Sequence, residues 1–126
     1  MNSDVLLWIG QILLAFAFLT SGYGHAFSFA AWSARPGMGW MGAVGRDRMR
    51  LIGLLEILGA IGLILPAATR VLPWLTPLAA ACLAAVMVFA TVFHLRRPGE
   101  TRNIVLNVVL GVMAILVAYG RLVVSP

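Results

Sequence analysis

The sequence predicts an all-α fold, an integral membrane four-helix bundle with up-down topology, on three observations. Its 126 residues are 62% hydrophobic and only 10% charged, with a mean hydropathy of +1.00; an ordinary soluble domain carries about 25% charged residues. The apolar residues gather into four runs, each with material for a span of about 20 residues. Helix-stopping or helix-bending residues separate the runs.

The first helix is predicted over 5–29. Ser28, Phe29 and Ala30 loosely imitate a leader cleavage site, but Asp4 is the only charged side chain ahead of the apolar stretch, so it reads as a retained membrane helix. The second helix, 48–65, reaches spanning length if Asp47 caps it and Arg48 and Arg50 extend back to the headgroups. Pro66 and Pro73 bracket a tight connection to the third helix, 73–95, which Arg96, Arg97, Pro98 and Gly99 end abruptly. The fourth helix covers 103–124. No linker, low-complexity tract or internal repeat divides the chain, which reads as a single transmembrane domain over 1–126.

All nine basic residues are arginines, against four acidic ones, for a formal net charge of +5. They sit between apolar runs rather than on a solvated face, which excludes nucleic acid as a partner. Arg35, Arg46, Arg48 and Arg50 flank the first connection and Arg96, Arg97 and Arg102 the third; only Arg70 and Arg121 belong to the opposite side. The positive-inside bias then places both termini outside a bacterial-type cytoplasmic membrane. The single cysteine, Cys82, allows no internal disulfide or dithiol pair and reads as a buried packing residue.

Polar residues in membrane helices turn inward, and here they fall on stripes. Gln11, Ala15, Phe18, Gly22 and His25 recur at spacings of four and three. Gly53, Glu56, Ala60 and Leu63 do the same on the second helix, Ala80, Ala84, Met87, Thr91 and His94 on the third, and Asn103, Asn107, Gly111, Ala114 and Ala118 on the fourth. Because successive helices alternate in direction, His25, Glu56, His94 and Asn107 share one depth near the cytoplasmic side. An acidic side chain at a helix centre costs about 2.5 to 3.5 kcal/mol to insert, so Glu56 must find a partner, His25 or His94, or be protonated.

Glu56 and His94 are the candidate catalytic residues, as general acid or base or as ligands to a quinone oxygen. His25, Asn107, Trp40 and Tyr23 are the candidate ligand-binding residues. The bland counterpart is a Glu-His-Asn lock that fixes helix register without chemistry. Two histidines and one carboxylate match a non-haem iron ligand set, but no spacing such as His-x-x-x-His supports it, and no metal site is assigned. The connection around Pro36, Gly37, Met38, Gly39, Trp40 and Met41 is either an aromatic belt with Trp32 or a lid over the polar layer. Tyr23 faces lipid or donates a second hydrogen bond to the ligand. Asn103 reads as an interfacial cap.

Residues 38–100, "MGWMGAVGRDRMRLIGLLEILGAIGLILPAATRVLPWLTPLAAACLAAVMVFATVFHLRRPGE", together with "AFLTSGYGHAF" in the first helix, resemble the DoxX-like family of small four-helix membrane proteins. The resemblance extends over essentially the whole chain. Glu56 and His94 match the family's intramembrane acid and histidine, whereas His25 stands near a position where many relatives carry lysine. The resemblance implies a membrane protein linked to redox metabolism, since the family takes its name from a subunit associated with quinone-linked oxidation of sulfur compounds. No flavin, haem or dinucleotide motif accompanies it, so electrons would come through a partner subunit, a bound quinone or a metal.

The expectation is a bundle that binds a small hydrophobic, quinone-like or lipid ligand on its cytoplasmic side and supports a membrane redox process. The cofactor is unassigned, with a quinone ahead of a metal; the expected partners are the lipid bilayer, a hydrophobic small molecule, a redox partner subunit and a second copy of the chain. The alternatives are a non-enzymatic assembly or scaffold subunit and a stand-alone acid-base enzyme acting on a lipid.

Overall fold

A computed structural model describes residues 2–126. The chain is helical, with no strand among the described residues: α1 (Ser3–Phe27), short α2 (Phe29–Ser33) and α3 (Trp40–Val44), then α4 (Arg46–Thr69), α5 (Leu75–Leu95) and α6 (Thr101–Tyr119). A π-helical turn, Gly120–Val124, prolongs α6. The four long helices are apolar enough to cross a membrane, and only 22% to 28% of the most apolar window of each is buried within the protein. The outward faces are leucine, isoleucine, valine and phenylalanine. Lipid is the solvent such a surface requires. The protein is an all-α, four-helix integral membrane protein.

Several ends differ from the sequence expectation. Asn2 caps α1, its side chain accepting from the Val5 N–H at 2.9 Å, and α1 stops at Phe27 rather than 29, with residues 29–33 forming a separate turn of helix. Asp47 is not the cap of α4. Gly45, at φ 98°, occupies that position, and Asp47 lies in the first turn, where its charge favours the helix N-terminus. The third connection is built around Glu100, the N-cap of α6.

Pro66 does not end α4; it is buried inside it. A proline there removes the N–H that would bond the Gly62 carbonyl. That oxygen is satisfied from outside the helix, by the Thr76 hydroxyl of α5 at 3.0 Å. One residue on, the Leu63 carbonyl accepts from Gln11 Nε2 of α1 at 2.6 Å. Interrupted helices survive in lipid when neighbours supply the missing donors, and the helix then runs on to Thr69.

Packing joins the long helices as two close pairs. Between α1 and α4 the backbones touch at glycines: a Cβ on Gly22 would stand 2.6 Å from the Gly53 carbonyl oxygen. Between α5 and α6, Gly111 lies under Met87. The pairs meet near the Pro66 end, where Gly59 faces Leu83 and Gly62 faces Ala79. The core there is Leu14, Phe18, Ala60, Leu63, Ala80, Leu83, Ala84, Met87, Ala114 and Val117. Arg121 is buried at the same end, its Nε donating to Gln11 Oε1 at 2.6 Å and its Nη1 to Asp4 Oδ1 at 2.7 Å. Towards the opposite end the pairs leave space, and the segment carrying α2 and α3 fills part of it.

Cys82 is exposed on α5, not buried. The stripe that turns inward on α5 is Ala80, Leu83, Ala84 and Met87, and residue 82 lies on the opposite, lipid-facing side of that helix.

Candidate functional site

The space between the helix pairs is one cavity of about 1150 Å³, lined from α1, the α2–α3 segment, α4, α5 and α6. Small-molecule pockets commonly occupy about 300 to 1,000 Å³. His25, Glu56, His94, Asn107 and Trp40 all lie on its wall. The four intramembrane polar residues that the stripes placed at one depth are therefore neighbours in space.

They are organised as two histidine-carboxylate pairs. On α1, His25 Nδ1 is hydrogen-bonded to Oε1 of Glu56 on α4 at 2.7 Å, and the Ser21 hydroxyl donates to the other carboxylate oxygen at 2.8 Å. Glu56 is 2% exposed, so its oxygens depend on these donors. His94 does not share Glu56. Its Nδ1 lies 2.8 Å from Oε1 of Glu100, whose Oε2 accepts from Arg97 Nε at 2.6 Å, with Asn103 Nδ2 at 3.5 Å from Oε1. Asn103 thus supports this pair instead of capping α6. The Pro98–Gly99 turn, with Gly99 at φ 75°, folds Glu100 back towards the end of α5.

Trp40 connects the pairs. Its ring stands edge-on to His25, with centroids 5.7 Å apart, and to His94 at 4.8 Å. The indole Nε1 is enclosed and has no hydrogen-bond partner among the described residues. Each imidazole is fixed by a carboxylate at Nδ1, and no described residue bonds either Nε2. Such a ring accepts at Nε2 when neutral and donates there when protonated, and the carboxylate behind it fixes its orientation. Burial pushes the Glu100 carboxyl up, but the hydrogen bonds and charges of His94 and Arg97 outweigh it and hold the carboxyl below its ordinary value.

Tyr23 is not part of this arrangement. It is 59% exposed and packs on Phe27 on the outer face of α1. It lies two positions before His25, a rotation that carries it out of the inward stripe.

Residues 9–117 match the DoxX-like family. The chain belongs to the DoxX-like family. The match spans all four long helices and takes in His25, Glu56, His94, Trp40 and Asn107. No curated protein and no solved structure matches the chain.

Sequence reasoning missed Ser21 and Glu100 in this DoxX-like protein. Ser21 precedes His25 by four residues and so shares its face, a spacing that could have found it. Glu100 lies in a loop by sequence, and its partnership with His94 depends on a turn geometry that no periodicity reports. Arg35, Arg48 and Arg102, which the sequence marks as topology signals and Arg48 also as a headgroup anchor, line the cavity too. Among the described residues no cluster of three metal-ligating side chains is assembled, because the two pairs stand on different helix pairs.

Proposed function

We propose that the protein binds a small hydrophobic, quinone-like molecule in this cavity and supports a membrane redox process by exchanging the ligand's two protons while a redox partner subunit supplies or takes up its two electrons. The observation that carries the reading is the pair of histidines, each backed by a carboxylate at Nδ1, on the wall of one largely apolar cavity. A quinone and its reduced form differ in presenting carbonyl acceptors or hydroxyl donors. Histidine Nε2 matches either, as imidazolium donor or neutral acceptor. Glu56 and Glu100 hold His25 and His94 in orientation, while the enclosed Trp40 N–H supplies a further donor and its ring limits water access. Asn107 orients the ligand from α6.

The cavity end carries Arg35, Arg46, Arg48, Arg50, Arg96, Arg97 and Arg102, whereas Arg70 and the internally paired Arg121 lie towards the other. We infer from this asymmetry that the cavity faces the cytoplasm and both termini lie outside.

The test is titration of the detergent-purified protein with a short-chain benzoquinone. Wild type is expected to bind it saturably, and Glu56→Gln, which replaces the carboxylate that orients His25, to weaken binding about tenfold, the scale of one charge-assisted hydrogen bond. Unchanged binding in the variant would remove Glu56 from the site. A second reading draws on the same contacts, because the His25–Glu56 bond joins α1 to α4 and the His94–Glu100 bond joins the end of α5 to the start of α6. As a pure lock in a scaffold subunit, Glu56→Gln lowers thermal stability and leaves ligand retention alone.

A further inference from the structure

The cavity wall holds more positive charge than its own carboxylates neutralise. Arg35 in the α2–α3 segment, Arg48 in the first turn of α4 and Arg102 in the first turn of α6 line the same space. None forms an ion pair among the described residues; Glu56 is engaged by His25, Glu100 by His94 and Arg97, and Asp4 by Arg121. Asp47, the remaining side-chain carboxylate, is exposed and pairs with none of them. The Arg35 guanidinium lies over the Trp32 ring, 4.8 Å from its centroid, and Trp32 is itself part of the wall. Deeper in, Val86, Met87 and Leu110 make the lining apolar.

We propose that the occupant is an anionic amphiphile, with its carboxylate or phosphate among Arg35, Arg48 and Arg102 and its apolar body reaching past His25 and His94. This goes beyond the preceding reading: it rests on the cavity being a ligand site but names an acidic amphiphile as the class of ligand. Arg35, Arg48 and Arg102 are exposed at the rim of the cavity, where three like charges attract an anion and arginine pairs carboxylate and phosphate bidentately. Arg46 and Arg96 separate this from a general attraction of interfacial arginines to lipid headgroups. They belong to the same end of the bundle but do not line the cavity.

The experiment uses the full chain in an uncharged detergent at alkaline pH, with Trp8→Phe and Trp74→Phe so that Trp32 and Trp40 report. Quenching is titrated with 9,10-dibromostearate, with its methyl ester and with brominated phosphatidylglycerol. The acid is expected to quench saturably at about tenfold lower concentration than the ester. Arg35→Gln, Arg48→Gln and Arg102→Gln together remove that preference, while Arg46→Gln with Arg96→Gln retains it and each set keeps its thermal transition. Tighter saturation by the two-chain lipid identifies a bilayer lipid as the source, and by the stearate a free acid; both support the proposal. Equal quenching by acid and ester, or equal loss of preference in both arginine sets, overturns it while saturable ester quenching leaves the hydrophobic pocket standing. Absence of saturation by every probe would remove pocket and proposal together.

Discussion

Glu100 shows how one side chain outside the apolar core organises the site. Its carboxylate holds His94 on one oxygen and Arg97 on the other, and these partners keep it ionised below its ordinary value of 4.5. A carboxyl with a lower pKa folded than unfolded stabilises the fold above the unfolded value, and the contribution disappears as pH falls through the folded value. Thermal unfolding in detergent followed by circular dichroism is therefore expected to show stability falling on acidification below about pH 4.5. Glu100→Gln should flatten that acid limb and lower stability at neutral pH. An acid limb of unchanged steepness in the variant would remove Glu100 from the ionic pair. Glu56 was legible as a residue because a carboxylate between LL and IL has nowhere to go but inward. Its partner His25 was legible as one of two candidates. Glu100 was not, because its role comes from a turn that returns the chain on itself.

Among the elements, α4 departs furthest from expectation, and the departure is informative. Proline commonly stops a helix, so Pro66 marked an end in the sequence. The structure keeps the helix going because Thr76 reaches across from α5 to the carbonyl that Pro66 leaves bare. That coupling is measurable. Thr76→Val alone is expected to cost about 1 to 3 kcal/mol, the price of an unsatisfied buried carbonyl. In a Pro66→Ala background the restored N–H can bond Gly62, and the same Thr76→Val change should cost about 1 kcal/mol less. Additive effects in the double-mutant cycle would show that the hydroxyl and the proline act independently. The inward stripes of α1 and α4 were readable from spacing, since Gln11, Phe18, Gly22, His25, Gly53, Glu56, Ala60 and Leu63 are all buried. The short helices α2 and α3 were not, being too brief for any hydrophobic period to declare them.

At the scale of the whole molecule, two close helix pairs meet near Pro66 and stand apart at the arginine-rich end, where the Trp40 segment lies between them. Arg121 illustrates what charge counting overlooks: by sequence it is only a charge on the outer side, but Gln11 and Asp4 take it into the structure. The membrane orientation inferred from the remaining arginines has a direct check. In a Cys82→Ser background, Ser125→Cys is expected to react with a membrane-impermeant maleimide in intact cells and Arg96→Cys only after permeabilisation. The reverse pattern would invert the topology and put the cavity outside.

Native mass spectrometry of the detergent-purified protein asks directly whether the cavity between the helix pairs holds a hydrophobic small molecule. One small organic mass is expected to be retained per chain by the wild type and lost from Glu56→Gln under the same activation. A protein that keeps its fold and emerges at its bare mass from every preparation would contradict it, and would leave the two histidine-carboxylate pairs as locks between helices.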